Sequence, residues 1–198
     1  MKSGFHIWVV ALTFFLVGSC KNDDPEMVND TADDTADEVI TVELPKRAGS
    51  RPETTTDIPH VQIDVELVPE VNEELNRRVY SIPGIEERPS VVAGWQGIWI
   101  TEDVSVVVPE ALIGDREFAH IHNDGSLHIF LEPSRSNEAV ESCWAVLHPF
   151  AVQRLEGYDG FVMLYTPQTL DELDVTFQLI VDGYNYVTGQ SLLATDYP

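Results

Sequence analysis

Cysteine is scarce in this chain: 198 residues hold two, Cys20 and Cys143. A scaffold stapled by several disulfides is therefore excluded, and the fold must rest on its own core. Positive charge is scarce too, with 11 Lys and Arg against 34 Asp and Glu and a formal net charge of -23. A field of that sign repels phosphate backbones, which argues against nucleic acid as a partner and against direct adsorption to anionic lipid. Its simplest role is solubility. Long apolar runs are missing as well, because the stretch from Phe5 to Val17 is too short to span a bilayer. The chain also lacks a dinucleotide-binding fingerprint, a phosphate loop and a nucleophile elbow, so no cofactor is legible.

What the N-terminus does have is an address. Lys2 precedes the apolar run, and small residues Gly18 and Ser19 lead to Cys20. This is the layout of a secretory signal. Leu16-Val17-Gly18-Ser19-Cys20 resembles the lipobox of bacterial lipoproteins. That resemblance implies cleavage after residue 19 and a mature N-terminal Cys20 carrying two or three acyl chains. Two chains moor a protein durably, since each buried CH2 contributes about 0.8 kcal/mol. The acidic cluster Asp23, Asp24 and Glu26 resembles the surface-export signal of Bacteroidota lipoproteins. The expected location is the bacterial cell envelope, at the outer membrane and facing either side of it. A buried helix, or an ordinary cleaved signal with an incidental cysteine, are the competing readings. If Cys20 is acylated, Cys143 is left as a buried thiol without an intrachain partner.

Residues 20–57 read as an acidic disordered tether. From Lys21 to Asp57 there are 11 acidic and 4 basic residues, including the repetitive Asp30-Thr31-Ala32-Asp33-Asp34-Thr35-Ala36-Asp37. Such a composition buries too little apolar surface to offset its ordering entropy. Within it, Val39 to Leu44 alternates like a docking edge strand. Residues 58–198 suit one domain.

Pro69 to Tyr80 reads as a helix, acidic at its start and basic at its end, with Val71, Leu75 and Val79 at spacing four. Trp95 to Ile100, Val104 to Val108, Glu117 to His122, Leu127 to Leu131 and Phe161 to Tyr165 read as strands. Asn123-Asp124-Gly125-Ser126 is a hairpin turn between two of them. Ser136 is expected to cap a helix running to Leu147, stopped by His148-Pro149. Thr169 with Glu172 forms a capping box for a last helix ending at Gly183. This order implies an α+β fold, mainly antiparallel sheet with helices packed against it.

Chemistry concentrates between Phe118 and His128. His120 and His122 share one face of a strand, His128 can approach across the hairpin, His148 follows a helix later, and His60 lies upstream. Imidazoles gathered so could ligate zinc, iron or copper, or do acid–base work near neutral pH. They could equally be hydrogen-bonding residues of a half-buried sheet. No carboxylate stands at a diagnostic metal-site spacing, which weighs against a metal. Asp124 and Ser126 are catalytic candidates beside turn and packing roles. Trp95, Trp99 and Trp144 read as core or pocket-rim aromatics.

This segment resembles the luciferase-domain family of bacteria and fungi. The resemblance rests on His122-Asn123-Asp124-Gly125-Ser126-Leu127-His128, Pro133, and Trp144-Ala145-Val146-Leu147-His148-Pro149, continuing through Phe161 to Tyr165 and Asp171-Glu172-Leu173 to Tyr186-Val187-Thr188-Gly189. It departs at Cys143, where the pattern has glycine, and at Thr166-Pro167-Gln168, where it has a proline–arginine pair. The family's name implies oxidation of a small organic molecule by oxygen; read from the residues, a cofactor-poor oxidation or a His-assisted acid–base reaction is expected, with His120, His122, Asp124, Ser126, His128 and His148 as candidate catalytic residues. Whether the domain is an enzyme stays open: a non-catalytic binding or interaction module on the envelope is the alternative, as is metal capture. Convergence of the imidazoles in a concave site would favour chemistry.

Overall fold

The computed structural model describes residues 43–92 and 94–198. The expected signal peptide, Cys20 and most of the expected tether lie outside that range, as does most of the Val39 to Leu44 segment. Six strands form one antiparallel sheet in the order β1-β2-β3-β4-β6-β5. They are β1 Ile85–Pro89, β2 Gln96–Ile100, β3 Glu117–Ile121, β4 Leu127–Phe130, β5 Ala145–Leu147 and β6 Phe161–Leu164. Four helices complete the α+β domain: α1 Pro69–Val79, α2 Pro133–Glu141, α3 Pro149–Val152 and α4 Leu170–Thr188. No helix among the described residues is long and apolar enough to cross a membrane.

Strand alternation sorts β3 and β4 between two environments. Ala119 pairs with Ile129 and Ile121 with Leu127, whereas His120 pairs with His128. The apolar set faces α4, whose Phe177, Leu179, Ile180 and Tyr184 are all buried. Each such side chain contributes roughly 1.5–3 kcal/mol by leaving water. Gly183 lies inside α4 rather than at its end. A Cβ there would stand 2.8 Å from the Phe130 carbonyl oxygen and 2.9 Å from Ile129 Cδ1, so its absence is what lets the helix press onto β4. Thr169 caps α4 through the Glu172 N–H, and the helix continues to Gly189, whose φ of 71° closes it. α1 carries Val71, Leu75 and Val79 into the same core, and its end is tied to α4 by Arg78 and Asp174, 2.7 Å apart.

Three other expectations are corrected. The stretch from Ser136 to Leu147 is not one helix. Glu132 caps α2 ahead of Ser136, the helix stops at Glu141, and 145–147 is strand β5. The stop is a Schellman-type turn in which Trp144 N–H reaches the Ala139 carbonyl and Cys143 takes a φ of 64°. That conformation favours glycine. Val104 to Val108 is loop rather than strand, its Val107 and Val108 N–H groups donating to the Val187 carbonyl. Cys143 is buried but disulfide-bonded, against the expectation of an unpartnered thiol. The sequence's other cysteine is Cys20, outside the described residues.

Residues 43–57, expected in the tether, lie against the domain. Leu44 is buried with its N–H on Glu138 Oε1, Trp144 Nε1 donates to the Pro45 carbonyl, and Arg47 pairs with Glu172 at 3.1 Å. The segment then folds back on itself through a bridge between Thr54 and Gln62, which carries His60 to the sheet.

Candidate functional site

The face of β3 and β4 turned away from α4 is built of imidazoles. His60, His120, His122, His128 and His148 are all buried and their rings touch in a chain. His120 and His128 face each other by register, and His122 follows His120 by two residues onto the same side. His148 stands at the N-terminus of α3, where its Nδ1 accepts the Phe150 N–H at 3.1 Å. It therefore caps the start of a helix, not the end of one as expected. His60 arrives from the folded-back segment and places Nδ1 3.1 Å from His128 Nε2.

The centre is His128. Its Nδ1 lies 3.1 Å from His120 Nε2 and 3.2 Å from His122 Nε2. The outer nitrogens of these two rings are held from behind. His120 Nδ1 meets Glu117 Oε1 at 3.0 Å, and Glu117 is wholly buried. That carboxylate also accepts from Ser90 Oγ and from the Val91 N–H, each at 2.6 Å. His122 Nδ1 meets Ser126 Oγ at 2.9 Å, and the Ser126 hydroxyl donates to Asp124 Oδ1 at 2.7 Å. Asp124 Oδ2 in turn accepts the Gln62 N–H at 3.0 Å.

These bonds fix tautomers. An ionised Glu117 accepts only, so His120 carries its proton on Nδ1. Ser126 spends its proton on Asp124, so His122 carries its own on Nδ1 also. Burial would push the Glu117 carboxyl up, but hydrogen bonds from His120, Ser90 and Val91 outweigh it and hold the carboxyl below its ordinary value. Burial lowers His60, His122 and His148 from 6.5 to about 4, the neighbouring imidazoles adding repulsion at His122 and His148. His128 is lowered further still, again by burial first. At neutral pH these four rings are uncharged.

The imidazoles floor a cavity of roughly 440 Å³. His60, His120, His128 and His148 line it, while His122, Asp124 and Ser126 stand behind them. Trp95 closes one side, stacked on His120 at 4.8 Å and 29° and against His122 at 4.3 Å. Phe130, Phe150, Tyr158 and Phe161 make the opposite wall, with Phe130 and Phe161 stacked at 4.4 Å. Two exposed carboxylates, Glu110 and Glu156, stand at its edge.

All six residues singled out from sequence are thus brought together, as lining or as its support. Two participants were not. His60 lies far upstream, and only its residue type marked it. Glu117 escaped because three residues separate it from His120, a spacing that puts two strand residues on opposite faces. A β-bulge resolves this: Ile98 pairs with Ala119 but Trp99 with Glu117, so Phe118 is the extra residue and Glu117 swings to the histidine face. A carboxylate does therefore stand behind the cluster, against the sequence-based expectation.

Comparison with known proteins adds one likeness. The family model described as Luciferase domain matches residues 115–181, from the turn before β3 into α4. Searches of curated proteins and of solved structures gave no match.

Proposed function

We propose that the domain binds a small, largely apolar molecule in the histidine-floored cavity and oxidises it with dioxygen, on a protein held to the bacterial envelope by lipid on Cys20. The observation that carries the first part is the convergence of His60, His120, His128 and His148 at the bottom of an aromatic-walled cavity. Imidazoles gathered there offer lone pairs and N–H groups to whatever enters the cavity. The walls would grip a flat or hydrocarbon-rich molecule, and Glu110 and Glu156 disfavour an anionic one. Dioxygen as co-substrate is favoured by the likeness of residues 115–181 to the luciferase domain. A non-catalytic binding module would need the same cavity but no reaction.

The test uses Trp95 as reporter. Neutral aromatic molecules titrated into the full chain should shift its fluorescence saturably, and an oxygen electrode should record uptake with those that bind. Saturable binding without oxygen uptake leaves the binding module; neither result leaves the cavity without a role. The envelope address rests on the lipobox-like Leu16 to Cys20. Mass spectrometry of the Cys20 peptide should find a diacylglyceryl group joined to the sulfur as a thioether. A thioether at Cys20 and a disulfide from it to Cys143 are mutually exclusive, so the same spectrum decides against the lipid anchor if the peptide is found disulfide-linked.

A further inference from the structure

Counting protons among the three innermost nitrogens leaves a deficit. His120 Nε2 and His122 Nε2 both present lone pairs, because their protons are committed outward to Glu117 and Ser126. Both point at His128 Nδ1, which can offer a single proton to one of them. Three buried nitrogens thus share one hydrogen, and at least one lone pair has no donor among them.

We propose that His120 Nε2, His122 Nε2 and His128 Nδ1 bind a divalent first-row transition-metal ion whose open coordination positions face the cavity. The ligand atoms lie within 4.8 Å of one another. Metal–nitrogen bonds of about 2.0–2.1 Å place adjacent ligand nitrogens roughly 2.9–3.4 Å apart, for angles between octahedral and tetrahedral. The spacings of 3.1 and 3.2 Å fall inside that interval. An all-imidazole set suits iron, cobalt, copper or zinc and not calcium or magnesium, which require oxygen ligands.

The surroundings complete the case. A ligating histidine needs an acceptor for its other N–H. His120 has Glu117, His122 has Ser126 backed by Asp124, and His128 ligating through Nδ1 has His60 Nδ1 at 3.1 Å from its Nε2. Every remote proton is accepted. The other group of convergent imidazoles, His60, His128 and His148, fails on this count. His148 Nδ1 already accepts the Phe150 N–H, which leaves its proton on Nε2 and no lone pair for a metal. His120 and His128 line the cavity, so an ion between them would meet whatever enters it.

The inference deepens the reading of the cavity as a reaction site, but the ion's presence stands on these three nitrogens alone. The full chain, stripped with chelator and dialysed against cobalt(II), should take up about one ion per chain and show the ligand-field absorption of nitrogen-ligated cobalt. His122→Gln should abolish both, with circular dichroism confirming that it is folded. His148→Gln should leave uptake within about two-fold. Glu117→Gln should weaken affinity by roughly 10–100-fold without changing stoichiometry. Folded wild-type protein that takes up no cobalt, or equal loss in His148→Gln and His122→Gln, overturns the assignment. Stoichiometric cobalt with no ligand bound and no oxygen consumed would retire the oxidation reading and leave the ion in place.

Discussion

The two faces of β3 and β4 are made from the same few residues and do opposite things. Toward α4 lie Ala119, Ile121, Leu127 and Ile129, apolar, buried and interlocked with Phe177 and Tyr184. Toward the cavity lie His120, His128 and Phe130, with His122 behind them on the same face. One face gains by leaving water, and the other retains polar rings that would be better solvated. A side chain's phase along a strand decides its burden: from Ala119 to Phe130 the odd strand positions hold the fold and the even ones the site, and the bulge at Phe118 reverses that phase for Glu117.

Three measurements test this division. The largest effect is expected on the α4 face, where Phe177→Ala should cost about 3–5 kcal/mol in denaturant unfolding while the folded fraction keeps its cobalt stoichiometry. Loss of metal uptake in the folded fraction would show that the faces are not independent. The second effect belongs to the cavity face. His60, His122 and His148 sit at about 4 in the native metal-free protein and near 6.5 when unfolded. Between those values the unfolded chain binds more protons, so stability is full well above pH 6.5 and falls as pH drops toward 4, by about 1.4 kcal/mol per pH unit for each of the three rings. Thermal melts that are flat across that window would contradict the burial of uncharged rings. The smallest is Trp95→Leu, at a half-buried position on the cavity's side, which should move stability by less than about 1 kcal/mol yet alter ligand affinity several-fold by fluorescence-independent calorimetry.

Much of the fold was legible where local signals agreed with the global one. The Asp124-Gly125 step did make the hairpin, with His122 N–H on the Ser126 carbonyl, and Thr169 did cap α4. Illegible parts share a cause, a missing or misleading stop. Cys143 occupies a left-handed position that glycine would have announced, so α2 and β5 read as one helix. Gly183 announced an end that does not occur, because its role is close approach to β4. β1 is Ile85-Glu86-Glu87-Arg88-Pro89, an edge strand whose charges hide any alternation. At the site, the hairpin histidines were visible from period two alone. Glu117 was not, since a bulge moves it out of phase, and no local pattern ties His60 to a hairpin sixty-odd residues away.

The sheet order carries a practical consequence for anyone dissecting the chain. The unit of likeness, 115–181, and the unit of folding do not coincide: β2, which pairs along the outer side of β3, lies upstream of the matched stretch. A fragment cut to the match would bare a row of main-chain amides and carbonyls on an apolar strand, a template for fibres or swapped dimers. It would also discard α1 and His60. Insolubility of such a fragment would then report a severed ladder, and say nothing about the chemistry of the intact protein.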